Sequence, residues 1–234
     1  FLVSMWTGSL TSGYEQTWNI GIYPEAFGKY AEEFFRSMLY GGAATLIAFA
    51  LGFPLAYFIA FRGGRYKALL LFLVIAPFFT SFLLRTISWK IILADNGLLF
   101  GPLKDIGLLP EDFRVLATPI AVIAGITYNF LPFMTLPLYV ALEKIPPSVL
   151  EAAQDLYADG GSRFRRVTLP LALPGVVAGS LLTFIPAVGD FVNAELLGNP
   201  QSQMIGNIIQ AKFLKVADYP MGAALSFILM AAIL

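Results

Sequence analysis

The chain of 234 residues contains no cysteine and no histidine, and it is poor in charge. Without cysteine it forms no disulfide and carries no thiol chemistry, and without histidine it has no imidazole for a metal site or a general base. Charged residues make up 13% of the sequence, well below the roughly 25% of soluble domains. Fifteen basic and fifteen acidic residues give a net charge of zero, which argues against a nucleic-acid partner.

A phosphate-binding loop of the form G-x-x-x-x-G-K-[ST] is also missing from the sequence. Such a loop holds phosphate and magnesium through its backbone amides, lysine and hydroxyl. Here Gly28-Lys29 is followed by Tyr30. The sequence has no pairing of nucleophile and base and no set of metal ligands either, so we predict a protein that is not an enzyme and holds no cofactor.

Long hydrophobic runs dominate what is present. Hydrophobic residues make up 58% of the chain, and its mean hydropathy is +0.75. A helix needs about 20 apolar residues to cross a bilayer. A fifth run begins near residue 219, and Phe1–Trp6 resembles the tail of another helix. Four complete runs are long enough to cross: 34–61, 68–93, 116–142 and 171–197.

These runs predict an all-α fold, that of a polytopic helical membrane protein. We expect about six helices in the natural chain, the first and the last of them incomplete here. Short segments 62–67 and 143–170 carry seven of the fifteen basic residues, which places them in the cytoplasm by the positive-inside rule. The segments predicted to lie outside are sparser in Lys and Arg: 7–33, 94–115 and 198–218.

A polar stretch, EAAQDLYADGGSRFRRVTLPL at 151–171, separates two of the apolar runs. An S-x-x-E capping box of Ser148 and Glu151 predicts the start of an amphipathic helix. The helix either docks on a partner or caps the chain's own bundle. Its apolar face repeats at helical spacing: Val149, Ala152, Ala153, Leu156 and Tyr157.

Turn signals predict a second short helix after the first. Gly160 and Gly161 are expected to end the first helix, and Ser162 is expected to cap the second. The second helix carries Arg163 and is predicted to end at Pro170. Two short helices joined by a glycine turn therefore form the predicted cytoplasmic loop.

Two carboxylates lie in the outer half of the 171–197 run, at Asp190 and Glu195. A carboxylate at mid-bilayer costs about 2.5–3.5 kcal/mol on insertion scales, so each is a candidate for a substrate path. Pro186 and Gly189 precede them and are expected to bend or break the helix. The alternative is that both carboxylates are hydrated at the outer interface.

Aromatic and basic residues in the runs extend the candidate path. Trp89, Tyr128 and Phe133 are candidate aromatic walls for a cation, which binds over ring faces. Each is equally compatible with a core or lipid-facing position, and Trp89 with an interface belt. Arg85 is expected to pair with one of the two carboxylates or to approach the outer headgroups.

The polar stretch resembles the EAA loop of ABC-importer permeases. Three further stretches resemble the spermidine/putrescine permease subfamily, and the resemblance covers nearly the whole chain, with the first 30 or so residues the weakest part. It implies a type I ABC-importer transmembrane domain over 1–234 with a cytoplasmic coupling loop at 143–170. The stretches are LPFMTLPLYVALEKIPPSVLEAAQDL (131–156), IGNIIQAKFL (205–214) and DYPMGAALSFIL (218–229).

The resemblance also implies site residues. Glu195 matches an acidic position of the subfamily, whereas Asp190 has no counterpart there. The family usually has glycine where this chain has Tyr157, which leaves the turn of the loop open to question. The residues implied to couple the chain to an ATPase are Glu151, Ala152, Ala153, Asp155, Leu156, Tyr157, Gly160, Gly161, Arg163 and Pro170.

The partners implied are a second homologous permease, two ATP-binding cassette ATPases and an extracytoplasmic polyamine-binding protein. ATP and Mg would bind to the ATPases, and the assembly would lie in the bacterial inner membrane. Two alternatives stay open. One is the same machinery with another solute, such as thiamine, iron or an organophosphonate; an anionic solute would favour basic groups over Asp190 and Glu195. The other is an ion-coupled secondary transporter, which should show inverted repeats that we do not find.

Overall fold

The computed structural model describes residues 1–9 and 12–233, and nearly all of its regular structure is helical. A short antiparallel pair of strands, β1 (Thr7–Ser9) and β2 (Gly13–Glu15), aligns Gly8 with Tyr14. The α-helices of the described residues are α1 (Ile22–Arg62), α2 (Lys67–Ile75), α3 (Phe82–Ile92), α4 (Phe100–Asp105), α5 (Pro119–Glu143), α6 (Pro147–Asp155), α7 (Gly160–Arg163), α8 (Leu169–Val188), α9 (Val192–Leu197), α10 (Ile205–Leu214) and α11 (Tyr219–Ile233).

Among the described residues, three continuous helices are long and apolar enough to cross a membrane: Ile22–Arg62, Pro119–Glu143 and Gly160–Val188. A fourth crossing is possible if the bent pair Gly64–Phe79 and Phe82–Ile92 counts as one span. Helix α11 is apolar but shorter, at 15 residues. The all-α membrane fold predicted from the sequence is therefore confirmed.

Two predicted runs are broken in the structure, the second of them where Pro186 and Gly189 were expected to bend or break it. The run 68–93 bends between α2 and α3, after a 3-10 turn at Ala76–Phe79 that contains Pro77. The run 171–197 stops at Val188, and α9 begins only at Val192. Proline in the first of these breaks removes a backbone donor and crowds the preceding turn, which favours a bend. The predicted break near Gly189 is confirmed, while Pro186 lies inside α8.

The helices gather into two compact units. Unit 1 comprises 1–42, 86–126 and 185–234, and unit 2 comprises 43–85 and 127–184. In unit 2, buried side chains of α1, α5 and α8 form one core that includes Phe53, Met134 and Leu138. There α8 approaches α5 closely, because a Cβ on Gly175 would lie 2.5 Å from the Ala141 Cβ.

Clusters of buried apolar residues hold the short helices in the described part of unit 1. One joins the start of α1 to α10 and α11 through Ile22, Ile205 and Leu225. The other packs Leu93 and Leu197 against the start of α5. The short helices α9 and α10 are thereby fixed by packing even though neither spans a bilayer.

Candidate functional site

Helix α6 is the predicted amphipathic helix, but it begins differently from the prediction. It runs Pro147–Asp155 with Pro146 at the N-cap, and no side chain caps it. The predicted capping box of Ser148 and Glu151 is therefore wrong. Proline suits the first helical position, because its fixed φ is already helical and its missing N–H would have no partner there. The Pro146-Pro147 pair sets the start of α6, with Pro147 at the first helical position one residue before Ser148.

The two faces of α6 have different environments. Leu150 packs on the core of unit 2, and Ala153 is buried. Glu151, Ala152 and Asp155 are exposed on the other side. One face of α6 therefore caps the chain's own bundle, and docking of the exposed face on a partner stays a prediction.

The end of α6 is a Schellman motif, and Tyr157 occupies its left-handed position. The Tyr157 N–H donates to the Gln154 carbonyl (2.9 Å), and the Ala158 N–H donates to the Ala153 carbonyl (3.1 Å). Tyr157 has φ 57°, the conformation for which glycine is preferred at this point of a helix end. Tyr157 therefore adopts the left-handed conformation at the position where the family usually has glycine.

Gly160 and Gly161 do not end the first helix; they begin the second. Asp159 caps α7, and its carboxylate accepts a hydrogen bond from the Gly161 N–H (3.1 Å). The predicted cap at Ser162 is therefore wrong. Hydrogen bonds from the Ser162 side chain and the Gly161 N–H lower the pKa of the Asp159 carboxyl below its ordinary value. An aspartate directly before two glycines was the signal that the sequence analysis missed.

Pro170 does not end the second helix, contrary to prediction. Residues 160–188 form one continuous helical span, with a π-helical turn at Phe164–Thr168 between α7 and α8. A proline in an α-helix would clash with the carbonyl four residues earlier, at Arg166. The wider π turn in front of Pro170 changes that geometry, so the helix continues. Arg163 lies in the last turn of α7 and is half-buried.

Phe164 attaches this loop to the bundle, a role that the sequence analysis did not assign. Its ring packs edge-on against Phe53 of α1 (centroids 5.5 Å apart) and against Tyr57 (6.3 Å). A salt bridge between Lys67 Nζ and the Glu143 carboxylate, 2.9 Å to each oxygen, joins the two segments predicted to be cytoplasmic. The loop is thus held to unit 2 at both ends of the 143–170 segment.

The exposed end of α6 is the most prominent apolar feature of the loop. The Leu156 side chain is 81% exposed and the Tyr157 side chain 98%. Large apolar side chains project from a well-fixed helix end, an arrangement typical of a protein–protein contact, in which buried aromatic anchors dominate the binding energy.

The second candidate site surrounds Glu195, in unit 1. Glu195 lies in the first turn of α9 and forms an ion pair with Lys215 (Oε1 to Nζ, 3.4 Å). Both residues line a cavity of ≈ 220 Å³ together with Gln203 and Gln210. A carboxylate beside a polar cavity provides the chemistry for binding a cation. The assignment of Glu195 to a substrate path stays a prediction.

Asp190 has a structural role in the break between α8 and α9. It is buried, with 6% of its surface exposed. Its carboxylate accepts from the Asn193 N–H (2.8 Å) and from the Asn193 side-chain amide (2.9 Å). The Asp190 side chain thus supports the start of α9, and its predicted place on the path remains a prediction.

Arg85 stacks on aromatic rings. Its guanidinium carbon lies 4.9 Å from the Phe78 ring centroid and 5.7 Å from that of Phe82. Its predicted partners make other contacts: Asp190 accepts from Asn193, and Glu195 pairs with Lys215. Cation–π contacts of this kind were not anticipated, although phenylalanines three and seven residues before an arginine are a readable signal.

The three candidate aromatic walls belong to different surroundings. Trp89 packs on the Leu93 and Leu197 cluster of unit 1. In unit 2, Phe133 meets Phe78 edge-on at 5.2 Å and lines an apolar cavity of ≈ 630 Å³, and Tyr128 lines another of ≈ 360 Å³. The structure therefore does not place Tyr128 and Phe133 on one cavity wall.

Solved structures define the class to which this fold belongs. The chain resembles a bacterial alginate ABC transporter solved with an alginate pentasaccharide-bound periplasmic protein (TM-score 0.68, 20% identity, 92% of this chain and 82% of that chain). It also resembles the inward-facing MetNI methionine ABC transporter (TM-score 0.64, 18% identity, 87% and 88%). The fold is that of an ABC-transporter transmembrane domain.

Residues 52–234 match the family described as the inner membrane component of binding-protein-dependent transport systems. Relatives include the spermidine/putrescine permease PotB of Haemophilus influenzae, 44% identical over 84% of this chain and 69% of that protein. PotB of Escherichia coli K12 is 42% identical over 86% of this chain and 73% of that protein. The chain belongs to this family of inner membrane transport components.

Family membership decides three points that the sequence left as predictions. The chain is a multi-pass protein of the inner membrane. It is a transport subunit and not an enzyme. It works as one part of an ABC transporter.

Proposed function

We propose that this chain is the permease subunit of an ATP-driven importer of spermidine and putrescine. The observation that carries the proposal is the 42–44% identity, over 84–86% of this chain, to relatives named for that transport. Residues 1–234 form one transmembrane domain in this proposal, and 143–170 form its cytoplasmic coupling loop. No covalent chemistry takes place in the subunit.

Four other proteins complete the transporter in this proposal. A second, homologous permease pairs with this chain, and two ATPases bind on the cytoplasmic side. An extracytoplasmic polyamine-binding protein delivers the substrate to the outer segments. ATP and Mg bind to the ATPases, since this chain has no phosphate-binding loop.

Helix α6 and its exposed end transmit the work of the ATPases. ATP binding closes the ATPase dimer, the dimer moves α6, and the path through the membrane opens outward. The contacts of Leu150 and Phe164 with unit 2 support this role, because a helix fixed to the bundle passes its displacement on. Leu156 and Tyr157 are the side chains that enter the ATPase surface.

Glu195 is the carboxylate that attracts the cationic substrate. Polyamines carry at least two ammonium groups on a flexible aliphatic chain, and a half-exposed carboxylate beside a cavity suits one such group. An anionic solute would favour basic groups in this place instead. Within the proposal, Glu195→Gln abolishes transport and leaves the complex assembled.

Substituting Leu156 tests the coupling role. Fully burying a leucine side chain contributes about 1.5–3 kcal/mol, so Leu156→Glu should weaken ATPase association by about tenfold to a hundredfold. Leu108→Glu is the matched control, because Leu108 is 67% exposed and lies in a segment predicted to be outside. Association is measured by co-purification and titration of the ATPase. Equal effects of the two substitutions would contradict the coupling role.

Substrate-stimulated ATPase activity of the reconstituted transporter tests the substrate assignment. Spermidine and putrescine, delivered with the binding protein, should stimulate hydrolysis, and Glu151→Lys should uncouple or release the ATPase. Stimulation by another solute and by neither polyamine would remove the substrate assignment. The permease assignment would survive that result.

A further inference from the structure

The cavity beside Glu195 has the dimensions of a small-ligand site. Its volume is ≈ 220 Å³, and its walls come from α9, the turn that follows α9, and α10. At about 30 Å³ for each water, this is room for about seven water molecules. A short aliphatic diamine has a comparable number of non-hydrogen atoms. The cavity therefore has room for one aliphatic arm of a polyamine.

Two asparagines fix the wall of this cavity. The Asn207 amide donates to the Phe191 carbonyl (2.9 Å), and its oxygen accepts from the Met204 N–H (3.0 Å). The Asn199 amide donates to the Ala117 carbonyl (2.7 Å). These two side-chain amides bind backbone groups. The charged side chains that line the cavity are those of Glu195 and Lys215.

The Glu195–Lys215 pair is weak and reversible. The Nζ to Oε1 distance is 3.4 Å, and the side chains are 64% exposed for Lys215 and 46% for Glu195. Exposed pairs of this kind shift an equilibrium by only about 1.4-fold to fivefold. The pair is therefore easily broken, and an ammonium group that makes further contacts in the cavity can replace Lys215 on the carboxylate.

Lysine has the chemistry of the proposed substrate. Its side chain is an ammonium group on a flexible four-carbon stem, which is the arm that putrescine offers. Lys215 lines the same cavity as the carboxylate that it contacts. Lys215 thus places an ammonium group like that of the substrate on the carboxylate in the cavity.

We propose that Lys215 is an internal competitor for the ammonium site on Glu195. The idea rests on the proposed polyamine function. When substrate enters, its ammonium replaces the Lys215 ammonium on Glu195, and when substrate leaves, Lys215 returns. Lys215 thereby lowers the affinity for substrate and assists its release, and it keeps the carboxylate paired while the cavity is empty.

Equilibrium binding of radiolabelled putrescine to the purified permease–ATPase complex in detergent tests this proposal. Lys215→Met should lower the Kd by about 1.4-fold to fivefold, the range of the lost competition. Lys215→Arg keeps the positive charge and should bind like the wild type. Lys212→Met is the matched control, since Lys212 lies on the same helix but pairs with Asp218 at 2.9 Å.

A double substitution separates competition from a structural effect. In a Glu195→Gln background there is no carboxylate to compete for, so the weaker putrescine binding that remains should not be tightened by Lys215→Met. A Lys215→Met variant that binds no more tightly than wild type would overturn the proposal, as would a gain that persists in the Glu195→Gln background. Absence of putrescine binding by every form would overturn it too.

The failure of this inference is distinguishable from failure of the proposed function. ATP-dependent polyamine uptake by wild-type proteoliposomes, with an unchanged Kd in Lys215→Met, removes only the competitor role. Absence of polyamine uptake by the wild type removes the proposed function itself. Lys215→Gln, which also lacks the charge but stays polar, repeats the test if the Met variant does not assemble.

Discussion

Replacing Tyr157 by glycine should strengthen the end of α6. Tyr157 has φ 57°, and a left-handed backbone costs a non-glycine residue roughly 1–2 kcal/mol. Glycine gains more freedom in the unfolded chain, which offsets about 0.4–1 kcal/mol of that relief. With the middle of each range, the net stabilisation of the Schellman motif is about 0.8 kcal/mol, or about fourfold slower local opening.

Hydrogen exchange of the purified permease without ATPase measures this effect. The reporting amides are those of Tyr157 and Ala158, which donate to the Gln154 and Ala153 carbonyls. Their exchange should slow by about fourfold in Tyr157→Gly. The ATPase is left out because its binding would itself protect these amides.

The same substitution should weaken coupling while it stabilises the helix end. The Tyr157 ring is 98% exposed, and interface tyrosines commonly contribute more than about 1 kcal/mol when buried by a partner. Tyr157→Ala is the control, because it removes the ring and keeps the backbone strain. It should weaken ATPase association without slowing exchange. Faster exchange in Tyr157→Gly, or unchanged ATPase affinity in both variants, would refute the reasoning.

Three further substitutions test the surroundings of the two sites. Phe164→Ala removes two edge-to-face ring contacts, each worth about 0.5–1.5 kcal/mol, and should lower the thermal stability of the permease by about 1–3 kcal/mol in total. Asp190→Ala leaves two buried Asn193 donors without their acceptor and should destabilise by about 1–3 kcal/mol in chemical unfolding. The depressed pKa of Asp159 means that its cap is complete above the unfolded pKa of about 3.9 and is lost as the pH falls through the lower folded pKa, so the protection of amides 160–163, taken relative to their intrinsic exchange rate at each pH, should fall in acid.

Each of these predictions has a conservative control. Phe164→Leu keeps most of the apolar contact and should cost less than Phe164→Ala. Asp190→Asn keeps an acceptor; an Asp190→Ala variant that is as stable as wild type but fails to transport would place the carboxylate on the path instead. Asp159→Asn keeps a capping side chain without a titrating group, so acid should no longer lower the protection of amides 160–163. Acid exchange equal in Asp159→Asn and wild type would contradict the capping argument.

The membrane class and the positions of the helices followed from the sequence because they depend on sums over many residues. Hydropathy over about 20 residues is insensitive to one misplaced boundary, so the runs 34–61, 116–142 and 171–197 each located a long helix. Hydropathy alone does not show the bend after Pro77, since Thr80 and Ser81 are the only polar residues between Leu69 and Leu84. Summed hydropathy reports length in the membrane and not the path of the backbone.

Helix ends depend on single residues with competing possibilities, and there the predictions failed. Ser148 and Asp159 are both good capping residues. Asp159 caps α7, whereas Ser148 lies inside α6, which begins at Pro147. Tyr157 took the left-handed turn that the sequence had assigned to glycines, because the helix had already ended. Partners distant in sequence, such as Lys215 for Glu195, leave no local signal at all.

ATP-dependent uptake of radiolabelled spermidine and putrescine into proteoliposomes that contain the complete transporter tests the central claim most directly. The account predicts uptake of both polyamines that requires ATP and the binding protein and is lost in Glu195→Gln, with the complex still assembled. Uptake of neither polyamine by an assembled, ATP-hydrolysing wild-type complex would contradict it. Uptake that continues without the ATPase would contradict the ATP-driven mechanism as well.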